Sequence, residues 1–364
     1  MKTVRRILVY GIALVVLLGA GGYAALCFSP ALQDRVFGMM VEQVMSRDTS
    51  SLTAEDGLRV GICGSGSPMP DANRTPACNI VFAAGEMFVV DAGSGSWQRA
   101  ASWRVDAGRV GTVLLTHFHS DHIGDLGEVN LQSWVGGRAA PLAVYGGPGV
   151  ERVVAGFNEA YAMDRTHRIA HHGPEFLKPE LGPMEAHVIE GVTHGSGSVV
   201  VLERNGLKIT AFAVDHQPIE PAFGYRFDYK GRSVVFSGDT HKSAALAEAA
   251  KGADVLIHEA MAMEEVAIME ETAKRNKLPR FEKILHDIPD YHSSPRDAAE
   301  TAAAAGVPTL VLSHLIPPVP GWFGRILFLR DTGIDGVDTH LAFDGMLIEL
   351  PAGSKDVKFS DLGR

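Results

Sequence analysis

From Leu58 onward the chain alternates two patterns of apolar residues. Short runs rich in Val, Ile and Phe, bounded by Gly, Asp or Asn, predict strands: 58–63 (LRVGIC), 78–84, 87–93, 112–117, 142–146, 198–203, 207–214, 222–229, 233–239, 254–260, 309–314 and 340–350. Between them, apolar positions recur at helical spacing over 122–134, 149–161, 243–250, 260–276 and 295–305. Ser294-Pro295 with Asp297 predicts the start of the last helix, and Gly306-Val307-Pro308 its stop. Strands lead and helices follow in two successive runs. That order predicts two sheet halves packed together and covered by helices, an α/β (α+β) architecture in one domain.

The N-terminus follows a different pattern. The run Ile7–Phe28 carries no charge and is long enough to cross a bilayer as a helix. Lys2, Arg5 and Arg6 precede it, which predicts an uncleaved anchor with the rest of the chain outside the cytoplasm, on the periplasmic side. Secretion after cleavage of a signal is the alternative, disfavoured by the long apolar core and by the proline in the candidate cleavage site Ser29-Pro30-Ala31. Residues 31–48 predict a short amphipathic helix. The expected organisation is an anchor over 1–30, a stalk helix and linker over 31–56, the folded domain over 57–352 and a tail over 353–364.

Composition narrows the class. The chain has 364 residues, 46% hydrophobic and 21% charged, as a globular protein does. Its net charge of −10 leans against a nucleic acid partner, because binding a phosphate backbone depends on Lys and Arg. Of three cysteines, Cys63 and Cys78 fall on neighbouring predicted strands. They read as two small buried side chains, with pairing as the alternative. No CxxC is present, which excludes a thiolate zinc knuckle.

The strongest chemical signal is TVLLTHFHSDHIGD, 112–125. Alternate residues of an extended segment point the same way, so His117 and His119 can grip one ion, while Asp121 and His122 face a second position. Imidazole and carboxylate suit zinc or a similar divalent ion, Mn²⁺ and Fe²⁺ included. Three His in six residues would burden a core with unsatisfied rings if they had no ligand. Four donors cannot complete two shells. His216, Asp239 and His314 each follow an apolar strand and are the natural additions.

HFHSDH, the isolated His216, Gly238-Asp239-Thr240 and Ser313-His314 resemble, in that order, the metal motifs of the metallo-β-lactamase superfamily. The resemblance covers about 58–350 and implies an αββα sandwich with two Zn²⁺ at one edge. It implies His117, His119 and His216 on one ion, Asp121, His122 and His314 on the other, and Asp239 between them. GICGSGSPMP, VVDAG, AFGYRF, FSGDT, HEA and DYHSSP are most similar to ribonuclease Z and the zinc arylsulfatases. That likeness points to Glu259 and His292 as acid–base or supporting residues beside Asp121, and to Asp91 as an orienter of the metal loop.

Two ions sharing a water would acidify it for attack near neutral pH, and His292 would protonate the leaving oxygen. The reading favoured by these residues is a hydrolase of a small phosphodiester or phosphoester. An arylsulfatase, or a lactone or thioester hydrolase with the same site, stands next. A β-lactamase, an oxygen-reducing di-iron protein (which carries a glutamate where His119 stands) and a non-catalytic binding module follow. Partners expected are a small ester, the membrane and, with less to support it, a second copy in a homodimer. Ribonuclease Z relatives grip RNA with an arm inserted between the motifs matching His216 and Asp239. Here 222–236 predicts a plain hairpin, so the expectation is that the chain does not mature transfer RNA.

Overall fold

The structure is a computed structural model and describes residues 10–11, 18–46, 48–192 and 197–363. Two compact units result, Met1–Thr49 and Ser50–Arg364. In the first, a helix spans Pro30–Met45. Ser29 caps it, its hydroxyl accepting from the Leu32 N–H, and no residue of the helix is buried.

The anchor expected over 1–30 finds no support among the described residues. Much of Ile7–Phe28 lies outside the described residues, and among the described residues no helix is long and apolar enough to cross a membrane.

The second unit holds two sheets. The first comprises β1 (Gly57–Gly64), β2 (Cys78–Ala83), β3 (Glu86–Ala92), β4 (Val110–Leu114), β5 (Leu142–Gly146) and β6 (Met184–Val188), closed by two late strands. The second comprises β7 (Ser198–Arg204), β8 (Leu207–Ala213), β9 (Phe223–Tyr229), β10 (Arg232–Phe236), β11 (Val255–Met261), β12 (Thr309–Ile316) and β13 (Asp338–Leu341). The late strands are β14 (Met346–Pro351) and β15 (Lys358–Asp361), giving the order β15-β14-β1-β2-β3-β4-β5-β6. The last residues, expected as a tail, thus supply an edge strand. The expected strand 340–350 is broken by a turn, its two halves joining different sheets.

Val60, Phe88 and Ile348 from one sheet pack against Tyr225, Phe227, Val234 and Val311 from the other. Phe88 meets Phe227 edge to face across the gap, ring centroids 6.0 Å apart. Outside the first sheet, Leu126 and Val129 of helix Leu126–Val135 and Val150 and Val154 of helix Val150–Ala160 join its core. Outside the second, Ala298, Ala299 and Ala302 of helix Pro295–Ala305 pack on it. The layers are therefore helix, sheet, sheet, helix. Ser294 and Asp297 form a capping box at the expected helix start, and Gly306 ends the helix at φ 66°.

Strands β3 to β6 run parallel, as do β10 to β13. Parallel strands deliver their C-terminal ends to one edge, which is where loops gather to form sites in such sheets.

Cys63 and Cys78, expected as separate buried thiols, are joined as a disulfide, 15 residues apart in sequence. Adjacent antiparallel strands β1 and β2 bring them face to face, Gly64 pairing with Cys78. Replacing both with serine should cost about 2–4 kcal/mol, on the order expected for so short a loop. Urea unfolding of the double variant and the oxidised parent checks this, and a difference below about 0.5 kcal/mol would show that the bond constrains little.

Candidate metal centre

The strand ends explain the site. Asp91 closes β3, His117 and His119 follow β4, Asp239 follows β10, Glu259 lies within β11 and His314 within β12. His216 follows the antiparallel β8. A rigid apolar strand stands behind each donor and fixes its direction.

His314 owes its position to a break in the ladder. Glu259 pairs with Ser313 and Ala260 with Leu315, so His314 is the extra residue of a bulge, at φ 46°. Asp91 also takes a left-handed backbone, at φ 58°. Gly238 precedes Asp239 at φ 63°, where a side chain would lie 2.5 Å from the Phe223 carbonyl oxygen. Only glycine fits there.

The donors converge on Asp239. Its Oδ2 lies 3.3 Å from His122 Nε2 and 3.4 Å from His314 Nε2. It is 4.0 Å from Nε2 of both His117 and His216. Asp121 Oδ2 is 3.2 Å from His314 Nε2 and 3.4 Å from His122 Nε2. Two groups able to hold an ion coincide with the expected shells: His117, His119 and His216, and Asp121, His122 and His314. A further group joins His292 to Asp239 and His314.

The far side of three rings, His117, His122 and His216, is pinned. Thr116 Oγ1 donates to Asp91 Oδ2 at 2.8 Å and lies 3.1 Å from His117 Nδ1. Asp91 Oδ2 lies 2.8 Å from His122 Nδ1, and Asp91 Oδ1 accepts from the Thr116 N–H. His216 Nδ1 donates to the Tyr291 carbonyl at 3.0 Å. With Nδ1 used in this way, each Nε2 lone pair faces the centre. Nε2 of His117, His122 and His216 is buried without a hydrogen-bond partner. Such orphaned atoms, three on one carboxylate, fit a divalent cation.

Electrostatics agree. Burial pushes the Asp239 carboxyl up, but His314, His122 and His117 outweigh it and hold it well below the usual range. Burial likewise raises Asp121, and the adjacent His122 and His314 bring it far down. Two buried carboxylates stay ionised only with positive charge beside them. Protonated His122 and His314 can supply it, both raised by these carboxylates against the effect of burial. Bound cations would do the same and release those protons. His117 and His216 are lowered, chiefly by burial, and are therefore neutral ligands in waiting.

Glu259 and His292 sit beside this cluster. Glu259 Oε1 lies 2.9 Å from His292 Nδ1 and accepts from the Ser293 and Thr240 N–H groups. His292 Nε2 is then left for the cleft.

Other histidines lie elsewhere. His167, His171 and His172 belong to helix Ala162–His172 and are not brought to the cluster. His187 stacks on Tyr145, His286 contacts Glu270, and His340 stacks on Phe359. His258 is buried behind the site, its Nδ1 on the Glu259 carbonyl, and His241 is exposed. His194 lies outside the described residues.

Sequence reasoning did not single out Thr116 or Asp344. Asp344 accepts from N–H and hydroxyl of both Ser65 and Thr75, tying down the loop after β1. In sequence it looks like an ordinary turn residue before Gly345.

Asp91→Ala should lower metal affinity about 10- to 100-fold, the usual cost of losing a ligand's outer partner. Titration of the metal-free variant with Zn²⁺ measures this. Parent-like affinity would reduce Asp91 to a turn carboxylate.

Residues 86–315 match the family model described as the Beta-lactamase superfamily domain. The chain is 41% identical over 263 residues to Ribonuclease Z of Mycobacterium avium, covering 71% of this chain and 86% of that protein. It is 40% identical over 268 residues to Ribonuclease Z of Mycolicibacterium gilvum, covering 72% and 86%. Among solved structures, a metallo-β-lactamase fold protein of Bacillus subtilis aligns at TM-score 0.57 and 18% identity, over 81% of this chain and all of that one. The human tRNase Z short form aligns at TM-score 0.55 and 20% identity, over 80% and 99%.

Proposed function

We propose, from the premise that the chain belongs to the metallo-β-lactamase superfamily and to the ribonuclease Z family within it, that this hydrolase is a metal-dependent endoribonuclease. It would cleave a phosphodiester near the 3′ end of a transfer RNA precursor. The observation that carries the reading is the 41% identity to a protein named Ribonuclease Z over 86% of its length, with an intact donor set in the cleft.

That premise corrects three expectations. The small phosphoester or sulfate ester ranked first gives way to RNA, since the relatives are ribonucleases by name. Composition misled here: a net charge of −10 describes the whole surface and not the approach to the cleft. The expected small-ester and membrane partners and the outward-facing, anchored location go with it. The relatives matched are named Ribonuclease Z, and no described helix is fit to span a membrane.

The hairpin expected at 222–236 is present, Arg232 pairing with Tyr229 across a tight turn, so no arm lies between His216 and Asp239. The conclusion drawn from it does not follow, because high identity to ribonuclease Z persists without it. RNA would instead be held close to the cleft.

The roles are as follows. His117, His119 and His216 would hold one divalent ion and Asp121, His122 and His314 another, with Asp239 between them, zinc being the ion that suits these donors. Bound ions would supply Lewis acidity and a water acidic enough to attack phosphorus. Asp91, Thr116 and the Tyr291 carbonyl would keep the imidazoles of His117, His122 and His216 in the tautomer that presents Nε2. Glu259 fixes the His292 ring through Nδ1 so that Nε2 faces the cleft, and the doubly protonated ring would give its Nε2 proton to the departing oxygen and be left neutral.

The test is to incubate metal-loaded protein with a transfer RNA precursor carrying a 3′ trailer. A single specific cut that a chelator abolishes is the expected result. An uncut precursor, with metal content verified, would overturn the assignment.

A further inference from the structure

Beside the donors lies a cavity of about 300 Å³ that the chemistry above does not use. Its polar end is the site itself, including His119, Asp239 and His314. Its other walls are apolar. Pro68 and Met69 come from the loop after β1, Phe281 and Ile284 from helix Pro279–Asp287, with Tyr291 and Ile316 closing it.

Three properties limit the occupant. Its volume falls at the lower end of the ~300–1,000 Å³ of ligand pockets, suiting one ring system rather than a base pair. No Lys or Arg lines it, so a phosphate there would lose water with no counter-charge in return. Phe281 and Ile284 are 40% and 53% exposed, while Leu285 of the same helix is fully buried. The two exposed side chains have water on faces that an apolar surface would cover.

A phosphate placed on the donors has a nucleoside on each side. The cavity has room for only one of them, and what enters must be flat, neutral and unpaired. We infer that the cavity receives one unstacked nucleobase flanking the phosphate that is cut, with Phe281 and Ile284 as its contact surface. The inference rests on the nuclease reading. It supplies a local grip on RNA in a chain whose 216–239 segment is only a hairpin, and it restricts cutting to a single-stranded position.

The experiment uses a short RNA, single-stranded around the cut, in two further versions with an abasic residue on one or the other side of the phosphate. For the metal-loaded parent, an abasic residue on one side should lower kcat/KM about 5- to 150-fold, the fold-change of losing one stacked base, and little on the other side. Phe281→Ser/Ile284→Ser should cut the intact RNA about as poorly as the parent cuts that abasic version. Both residues are exposed, so the variant is expected to fold, and far-UV circular dichroism verifies it. Binding gives a readout independent of turnover: 2-aminopurine at the sensitive position should change its fluorescence on metal-free parent and not on the variant. Cleavage indifferent to the base on either side, or a double variant that matches the parent, would overturn the assignment and leave the nuclease reading standing. Failure of the parent to cut the intact RNA would overturn the nuclease reading and this assignment together.

Discussion

Asp239→Ala should lower turnover by more than about a hundredfold and leave the metal-free protein folded. Loss of an outer partner of a metal ligand costs roughly 10- to 100-fold, and a carboxylate central to the donor set should cost more. Oδ2 of Asp239 lies within 4.0 Å of imidazole nitrogens from His117, His122, His216 and His314, so its removal deprives both halves of the centre at once. Stability is affected less, because the imidazoles left behind can shed their protons rather than remain as unpaired buried charge. Metal content by mass spectrometry, kcat/KM and the metal-free melting temperature are the measurements. Activity within a few-fold of the parent would show Asp239 to be a turn residue, and collapse of the metal-free fold would show its role to be structural.

His292→Ala should reduce kcat by about 10² to 10⁴, the range for removing a positioned acid or base. Glu259 holds Nδ1 of this ring at 2.9 Å, fixing which nitrogen faces the cleft. If proton delivery is the role, metal content stays at the parent level and the loss shrinks for a substrate whose leaving group needs no proton. Since His292 also lies within reach of Asp239 and His314, the contrary outcome is defined: metal lost in step with activity would make it a ligand.

The fold was legible where local chemistry and long-range structure agree. Ser294-Pro295 and Asp297 announced a helix start, and the structure places both halves of a capping box there. HFHSDH was legible because three His in a short segment make no sense in a core. The strand-end donors were legible because an apolar run ending in His or Asp is rare without a purpose. Less could be read where position depends on partners distant in sequence. Helix Pro279–Asp287 is short and buries only Leu285, which leaves few core positions to mark it in the sequence. Asp344 serves residues 269 and 279 positions away. Cys63 and Cys78 read as two separate buried side chains, and only the register of β1 on β2 brings them together as a pair. Net charge, an average, pointed away from RNA although the sequence motifs already resembled ribonuclease Z.

The pairing of the first sheet dictates an order of assembly. β1 bonds to β2 on one side and to β14 on the other, Arg59 lying opposite Glu349. A chain emerging from the ribosome completes all seven proposed metal donors at His314, yet the edge of β1 stays open until Met346–Pro351 has also emerged. Such distant pairing slows folding, and an open apolar edge invites association with other chains in the meantime. Truncation just before Met346 would therefore yield a polypeptide with every donor present and its central sheet unsealed. Its expected behaviour is aggregation rather than weak activity.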